Sequence, residues 1–500
     1  MRWILLITVV FGLCGGIAIS YWRQANIDVS PSSMVWILVV LPSVIVASIY
    51  GIVQLKKWLK ERREVESYPS SDAMSLLEQS EMPWLHIYAI TVQTQLGNHA
   101  DQIIAGLQEF RAAECDDELW NINGSKLLSR RIDLVVSHSI DDSERDISIT
   151  DIHSLSARAL RIAALTQNIY EQFDSVLATI AEGMLQSPLC QRPHPTQQVI
   201  LHPAWQGQEK FEEPPIIVTK SKLAWPKILK ILYLLPHHLE LQDQQYLQQI
   251  AATEMMRYGF DAEQIQWTHG IVKDADETLQ FIEHAMVAQL AANESSMLLV
   301  MGIDSHVDQD LIDLLLHEDP HFIPTEMSFS FLMTNDATPI PTLPVLSRIT
   351  TPNLKKRQKS LSVGGQFSAE ALEMCLDEFT RHYLIDRGDL MPEHGILVSD
   401  INPTQRAHSR ELSLALRPFD FPAEDVLYIG SILETTDAMA SGLALAIALQ
   451  QAESSKIHVP IICSAGDTLR GIWLAASYLQ NANAEPLAVS EPSQGGSEHA

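Results

Sequence analysis

The sequence predicts an α/β body carried behind a two-helix membrane hairpin. Three observations predict it. Two long uncharged apolar runs open the chain. Strand-like and helix-like segments alternate over residues 84–480 behind them. One helix-then-strand pattern occurs twice, once in the middle of the chain and once near its end.

The hairpin comes first. Trp3 to Trp22 holds 20 residues without a charge, and Met34 to Leu55 holds 22. At ~1.5 Å per residue each run makes a helix of about 30 Å, the thickness of a hydrocarbon core. Core helices of soluble proteins are seldom apolar all round over such lengths. Trp3, Tyr21, Trp22, Trp36 and Trp58 lie near the ends of the runs, where interfacial aromatics belong, and Pro42 is tolerated within a membrane helix. The first run lacks a small-x-small cleavage site, so it does not read as a signal peptide. Behind the second run stands Lys56-Lys57-Trp58-Leu59-Lys60-Glu61-Arg62-Arg63, whereas the linker Arg23–Ser33 holds one basic residue. The positive-inside rule then keeps everything after Arg63 in the cytoplasm. The expected layout is a transmembrane hairpin over 1–63, a linker over 64–83, a cytoplasmic body over 84–480 in halves 84–345 and 346–480, and a disordered Ser/Gly/Pro/Glu-rich tail over 481–500.

Charge narrows the function. The chain has 34 basic and 62 acidic residues, of which residues 1–64 hold 7 and 3. The remainder carries 27 against 59, a net charge of −32. Such a body is repelled by nucleic-acid phosphates and by anionic headgroups, so nucleic acid is excluded as a direct ligand. Its acidic surface confers solubility and favours basic partner surfaces. The cysteines Cys14, Cys115, Cys190, Cys375 and Cys463 form no C-x-x-C pair, and a cytoplasmic body needs no disulfides. His237-His238 and His317/His321 lack matching acidic or sulfur partners at metal-ligand spacing and read as surface histidines. No phosphate-binding glycine motif of either common type is present, so nucleotide binding has no support.

The elements follow in order. Trp84–Thr94 alternates as a strand, Asn98–Phe110 reads as a helix, Ile132–Val136 as a strand and Leu155–Leu185 as a long helix with a break. Gln191–Pro226 is a proline-rich loop. Ile228–Leu235 is a strand, Asp243–Tyr258 and Ala275–Ala292 are helices, and Met297–Met301 is a buried strand. Thr350–Gly365 reads as a loop carrying Lys355, Lys356, Arg357 and Lys359. The repeated pattern is an Ala-rich helix, Glu-Ser-Ser, an apolar strand, then Gly near Asp. It runs through Glu294 to Asp304 and again through Glu453 to Asp467, and it predicts two similar halves packed together.

That doubling resembles the thiolase-like fold of the β-ketoacyl synthases. Thr94-Gln95-Leu96-Gly97-Asn98 resembles the turn after the family's opening strand. The helix to Ala292 with Leu298–Asp304 resembles the helix and strand that follow the nucleophile, and Met327–Met333 the next strand. Ile396–Asp400 with Asn402 resembles the strand before the first catalytic histidine. Thr435–Leu449 resembles the small-residue helix of the second half, and Cys463–Trp473 the final hairpin. The order of these segments carries the resemblance, which implies a duplicated, layered α/β body and a homodimer.

The family's chemistry does not follow. A ketosynthase needs a cysteine at the start of the helix before the Leu298 strand, where the helix N-terminus favours a thiolate. Here the residues are Val272-Lys273-Asp274-Ala275-Asp276-Glu277, whose carboxylates suit helix capping. The histidine loop is replaced by Ser399-Asp400-Ile401-Asn402-Pro403. His408, a little downstream, makes no triad alone. Cys463 before Ser464-Ala465-Gly466-Asp467 reads as a buried strand-end cysteine, and Cys375 as core. The sequence therefore assigns no catalytic, cofactor-binding or metal-ligating residue and no cofactor.

Two classes of function remain. A silent thiolase-like protein with a membrane anchor resembles the type VI secretion lipase adaptors of bacteria. That resemblance implies an adaptor in the bacterial inner membrane that hands a lipase effector to the secretion spike. The alternative is a divergent β-ketoacyl synthase-like acyltransferase, or an acyl-binding protein, in lipid metabolism. The missing nucleophile and the acidic surface count against the enzyme.

Overall fold

The computed structural model describes residues 84–109, 111–133, 155–186, 225–292, 295–335, 340, 342–350, 353–356, 369–370, 372–377, 379, 396–419, 421–433, 438–464 and 469–478. The apolar runs Trp3–Trp22 and Met34–Leu55, their basic flank, the linker and the tail lie outside these residues. Among the described residues no helix is long and apolar enough to cross a membrane.

The first half opens with β1 (Trp84–Thr94), α1 (Ala100–Gln108) and a separate ribbon of β2 (Glu114–Trp120) and β3 (Lys126–Ser129). Next come α2 (Ala157–Gln172), α3 (Asp174–Gln186), β4 (Ile228–Pro236), α4 (Leu241–Arg257), β5 (Ile265–Val272), α5 (Ala275–Leu290), β6 (Ser296–Ser305), α6 (Gln309–Glu318) and β7 (Glu326–Asn335). The second half has β8 (Ser347–Thr350), β9 (Asn353–Lys356), β10 (Leu397–Ser399), α7 (Arg406–Leu416), β11 (Val426–Tyr428), α8 (Gly430–Leu433), α9 (Ala440–Ser455), β12 (Val459–Cys463) and β13 (Leu469–Ser477). The class is mixed α/β, as the alternation of periods predicts.

The strand order is β11-β10-β12-β13-β8-β1-β7-β6-β4-β5. Each half repeats one plan. In the first, β5, β4 and β6 run parallel, β7 is antiparallel to β6, and β1 is antiparallel to β7. In the second, β11, β10 and β12 run parallel, β13 is antiparallel to β12, and β8 is antiparallel to β13. The two opening strands, β1 and β8, pair antiparallel and join the halves. The two copies of the sequence repeat are α5 with β6 and α9 with β12, the same place in each plan.

Strand alternation sorts the core into layers. Leu298 and Val300 of β6, Val398 of β10, Ile461 of β12 and Trp473 of β13 share one cluster with Leu279 and Ile282 of α5 and with Leu443, Ile447 and Ala448 of α9. Met297, Leu299 and Met301 face the other way, onto Ile162 and Leu165 of α2 and Leu247 of α4. Ile462 and Leu474 turn toward Leu412 and Ala415 of α7. Helices α5 and α9 therefore lie within the sheet's inner side, and α2, α4 and α7 cover its outer side. Burial on both faces explains why β6 reads as a nearly unbroken apolar stretch. A helix buried all round must be small and uncharged, and α9 has buried Ala440, Ser441, Gly442, Ala444, Ala446 and Ala448.

The break expected in the long helix over Leu155–Leu185 falls at Phe173, whose backbone N–H turns back to Ile169 and Tyr170. Two other expectations shift. The loop expected over Thr350–Gly365 contains β9, which pairs with β13; its edge pairing, not its own composition, makes it a strand. Ile132 and Asp133 do not form the predicted strand, and residues 134–136 lie outside the described set.

Candidate functional site

In open α/β sheets ligands gather at the carboxyl ends of the parallel strands. Both halves place polar side chains there, beside the starts of α5 and α9. Thr278, in the first turn of α5, donates to the carbonyl of Ala438 at 2.5 Å, just before α9, so the two helix starts adjoin.

In the second half the centre is Asp400, fully buried after β10. Its Oδ2 accepts from Ser441 Oγ at 2.6 Å and its Oδ1 accepts from the Ser464 N–H at 2.7 Å. Cys463 Sγ lies 3.9 Å from the Ser441 carbonyl oxygen, and burial, reinforced by Asp400, pushes its thiol well up. Such a thiol stays protonated and is a poor nucleophile. Asn402 folds its loop by accepting from the Thr404 N–H at 2.9 Å and from its hydroxyl at 2.7 Å. Gly430 is required beneath this loop: a β-carbon there would stand 2.4 Å from the Asn402 nitrogen and 2.6 Å from the Asp400 carbonyl oxygen.

In the first half the strand ends carry a buried charge network. Arg158 of α2 donates from Nη2 to Asp304 Oδ1 at 2.9 Å and from Nε to the Ser305 carbonyl at 2.6 Å. Arg161, one turn on, donates from Nε to Glu326 Oε1 at 2.8 Å and from Nη2 to the Ile132 carbonyl at 2.8 Å. Ser305 Oγ donates to Glu326 Oε1 at 2.7 Å. Burial pushes Asp304 up, but His306 and Arg158 beside it outweigh that and hold its carboxyl below the ordinary range. Burial pushes His306 down; Nδ1 lies 3.1 Å from the Thr325 carbonyl and Nε2 3.9 Å from Asp304 Oδ2. Arg158 is the cation in direct contact with Asp304.

The start of α5 is closed by its own side chains. Asp274 Oδ1 accepts from the Glu277 N–H at 3.0 Å, and Glu277 Oε2 accepts from the Lys273 N–H at 2.8 Å. Two N–H groups that could have favoured an anion or thiolate are thereby taken. Asp276 beside them is buried.

The remaining sequence candidates scatter. Cys115 is exposed on β2 and Cys375 is partly buried; Cys14 and Cys190 lie outside the described residues. His237 and His238 lie just after β4 with ring centroids 3.6 Å apart and planes tilted by 43°, and both are exposed. His317 Nδ1 lies 2.7 Å from the Asp313 carbonyl on an exposed helix face, and His321 is exposed nearby. His408 sits half-buried on α7. Lys355 and Lys356 belong to β9, while Arg357 and Lys359 lie outside the described residues. Among the described residues no three His, Cys, Asp or Glu side chains converge as a metal ion would require. Sequence reasoning passed over Arg158, Arg161 and Glu326, which are distant in the chain; only Asp304 carried a signal, as the acid closing the repeat.

No protein-family model matches the sequence, and no curated protein matches it. Solved structures are similar at low identity. The ishigamide ketosynthase/chain length factor is 12% identical over 79% of this chain and 99% of its own, with a TM-score of 0.47. The oxazolomycin ketosynthase domain of Streptomyces albus is 11% identical over 79% and 75%, with a TM-score of 0.49. The ketosynthase from module 6 of the Bacillus subtilis bacillaene synthase is 10% identical over 79% and 70%, with a TM-score of 0.48. The fold rests on the strand pairing above rather than on these likenesses, and they carry no chemistry to this chain.

Proposed function

We propose that this protein is a non-catalytic, thiolase-like scaffold, tethered to the inner face of a bacterial membrane by its N-terminal hairpin and holding a protein partner. The observation that carries the reading is the start of α5. A ketosynthase-like body needs its nucleophile there; this chain has Asp274, Asp276 and Glu277, and two of the three cap the helix. Cys463, at the end of β12, is buried with its thiol pushed up, which also supports a silent body. An acidic body suits a cationic partner surface, because complementary charge speeds encounter. The resemblance to type VI secretion lipase adaptors supplies the partner class, a secreted lipase effector on its way to the spike.

The test of silence is chemical. The full chain is incubated with acetyl- and long-chain acyl-coenzyme A and weighed intact. No acyl adduct is expected; a stoichiometric acyl-cysteine overturns the scaffold and establishes an acyltransferase. The tether is tested by a reporter fused after Arg63. Activity from a reporter that works only in the cytoplasm is expected, and activity from a periplasm-only reporter overturns the topology.

A further inference from the structure

The ribbon of β2 and β3 stands apart from the main sheet and shows two different faces. On its inner side Leu119 and Leu127 pack on Val307, Ile312, Leu316 and Phe322, under and beside α6. Asp116, buried on the same side, accepts from Ser129 Oγ at 2.7 Å and ties the strands together. Gln309 at the start of α6 clamps the ribbon from both directions, accepting from the Trp120 N–H at 3.0 Å and donating to the Trp120 carbonyl at 2.9 Å. The turn needs Gly124, whose φ is +74°, and is closed by the Asn121 N–H donating to the Ser125 carbonyl at 2.7 Å. The ribbon is thus rigidly held.

Its outer side carries apolar side chains that stand exposed among the described residues. Trp120 is opposite Lys126 and Cys115 is opposite Leu128 across the ladder, which puts these residues on the outer face. Trp120 is 46% exposed, Leu128 50% and Ile122, in the turn, 58%. Leu314 on the neighbouring α6 is 56% exposed. Single exposed apolar residues are ordinary, but a rigid cluster that includes a tryptophan is the composition of a binding hot spot. The rim is acidic: Glu114, Asp117, Glu118, Asp310 and Asp313 are exposed, against Lys126 and Arg131. Lys126 pairs with Asp117, and Arg131 with Glu118 at 2.6 Å, so the rim's excess negative charge comes from Glu114, Asp310 and Asp313.

The geometry points to the outer face of the β2–β3 ribbon as the docking surface for a cationic amphipathic segment of a protein partner. The partner's apolar side chains cover Trp120, Ile122 and Leu128, and its lysines or arginines meet the carboxylate rim. An anionic lipid surface is disfavoured by the same rim. This deepens the scaffold reading and rests on it.

The test uses the full chain in a mild nonionic detergent and a fluorescent 18-residue amphipathic helical peptide of leucine and lysine, with a leucine–glutamate peptide as control. The variant Trp120→Ser/Ile122→Ser/Leu128→Ser is compared with wild type and with Leu241→Ser/Met256→Ser/Met374→Ser, which removes exposed apolar residues elsewhere. An unchanged thermal midpoint shows that each variant is folded. The ribbon variant is expected to lose at least tenfold in affinity for the lysine peptide, the control variant to bind like wild type, and the glutamate peptide not to bind. Binding by the ribbon variant within twofold of wild type overturns the site. Wild-type dimers that the ribbon variant dissolves, seen by sedimentation, also overturn it, because the face would then bind a second copy. Neither result touches the acyl-adduct test, so the scaffold reading stands or falls separately.

Discussion

The ring of Phe329 fills the space beside Gly442: a β-carbon on Gly442 would lie 2.0 Å from Phe329 Cζ. Phe329 belongs to β7 of the first half and Gly442 to α9 of the second, so this contact locks the halves together. The ring cannot retreat, because a β-carbon on Gly302 of β6 would itself stand 2.3 Å from the same atom.

Gly442→Ala should therefore destabilise the protein. In an open helix interior the change would gain up to about 1 kcal/mol from propensity. Overpacking a closed core costs about 1–3 kcal/mol and decides the sign here. Chemical denaturation should show a lower midpoint, and Gly442→Ala with Phe329→Leu should recover part of the loss. A higher midpoint for the single variant would show that the ring has room to move.

The limits of the sequence show in the same contact. Helix α9 is legible as buried from its run of Ala, Ser and Gly, and its twin α5 from the Glu-Ser-Ser repeat. That Gly442 answers to Phe329 is not legible, since the residues are far apart in the chain. The acid closing the first repeat, Asp304, is visible in sequence; its cation Arg158 is brought to it by α2 only in the fold. Strands β5, β8 and β11 escape for a related reason. They are short or at an edge, and their pairing partners, more than their own periodicity, make them strands. The absence of a cysteine at the start of α5 is the one chemical statement the sequence carries unaided.

Asp400 should be structural, and Cys463 inert. Asp400→Ala leaves the Ser441 hydroxyl and the Ser464 N–H without their buried acceptor. At roughly 1–3 kcal/mol for each orphaned group, a loss of about 2–6 kcal/mol is expected in equilibrium unfolding. In native alkylation followed by peptide mass mapping, exposed Cys115 should react quickly and buried Cys463 only on global unfolding. Rapid native labelling of Cys463 would contradict both its burial and its raised thiol.

Glu283 gives the stability a pH dependence. It sits half-buried on α5, and burial pushes its carboxyl up from the ordinary 4.5 to about 7. Between those values the folded state holds a proton that the unfolded state has released. Stability therefore falls as pH rises through this window and levels off above it. Glu283→Gln should match wild type near pH 4 and exceed it near pH 8, by about 1–2 kcal/mol once solvent screening of a half-buried group is allowed for. Parallel stability curves for the two proteins from pH 4 to pH 8 would refute the shift.

The buried pair Arg470–Glu411 makes the sharpest energetic test. Arg470 lies on β13 and Glu411 on α7, and their side chains are 3% and 0% exposed. Removing either partner takes from the other its ion-pair contact in the core, at a cost of about 3–5 kcal/mol. Replacing both with apolar residues of similar size removes the penalty along with the attraction. Glu411→Ala and Arg470→Ala should each be severely destabilised, whereas Glu411→Leu/Arg470→Met should come back close to wild type. The exposed pair Lys126–Asp117 is the control, since solvent screens it and its loss should leave the unfolding midpoint unmoved. A double variant as unstable as the single ones would mean that the two side chains serve separate partners, and that β13 and α7 are held together by something other than this pair.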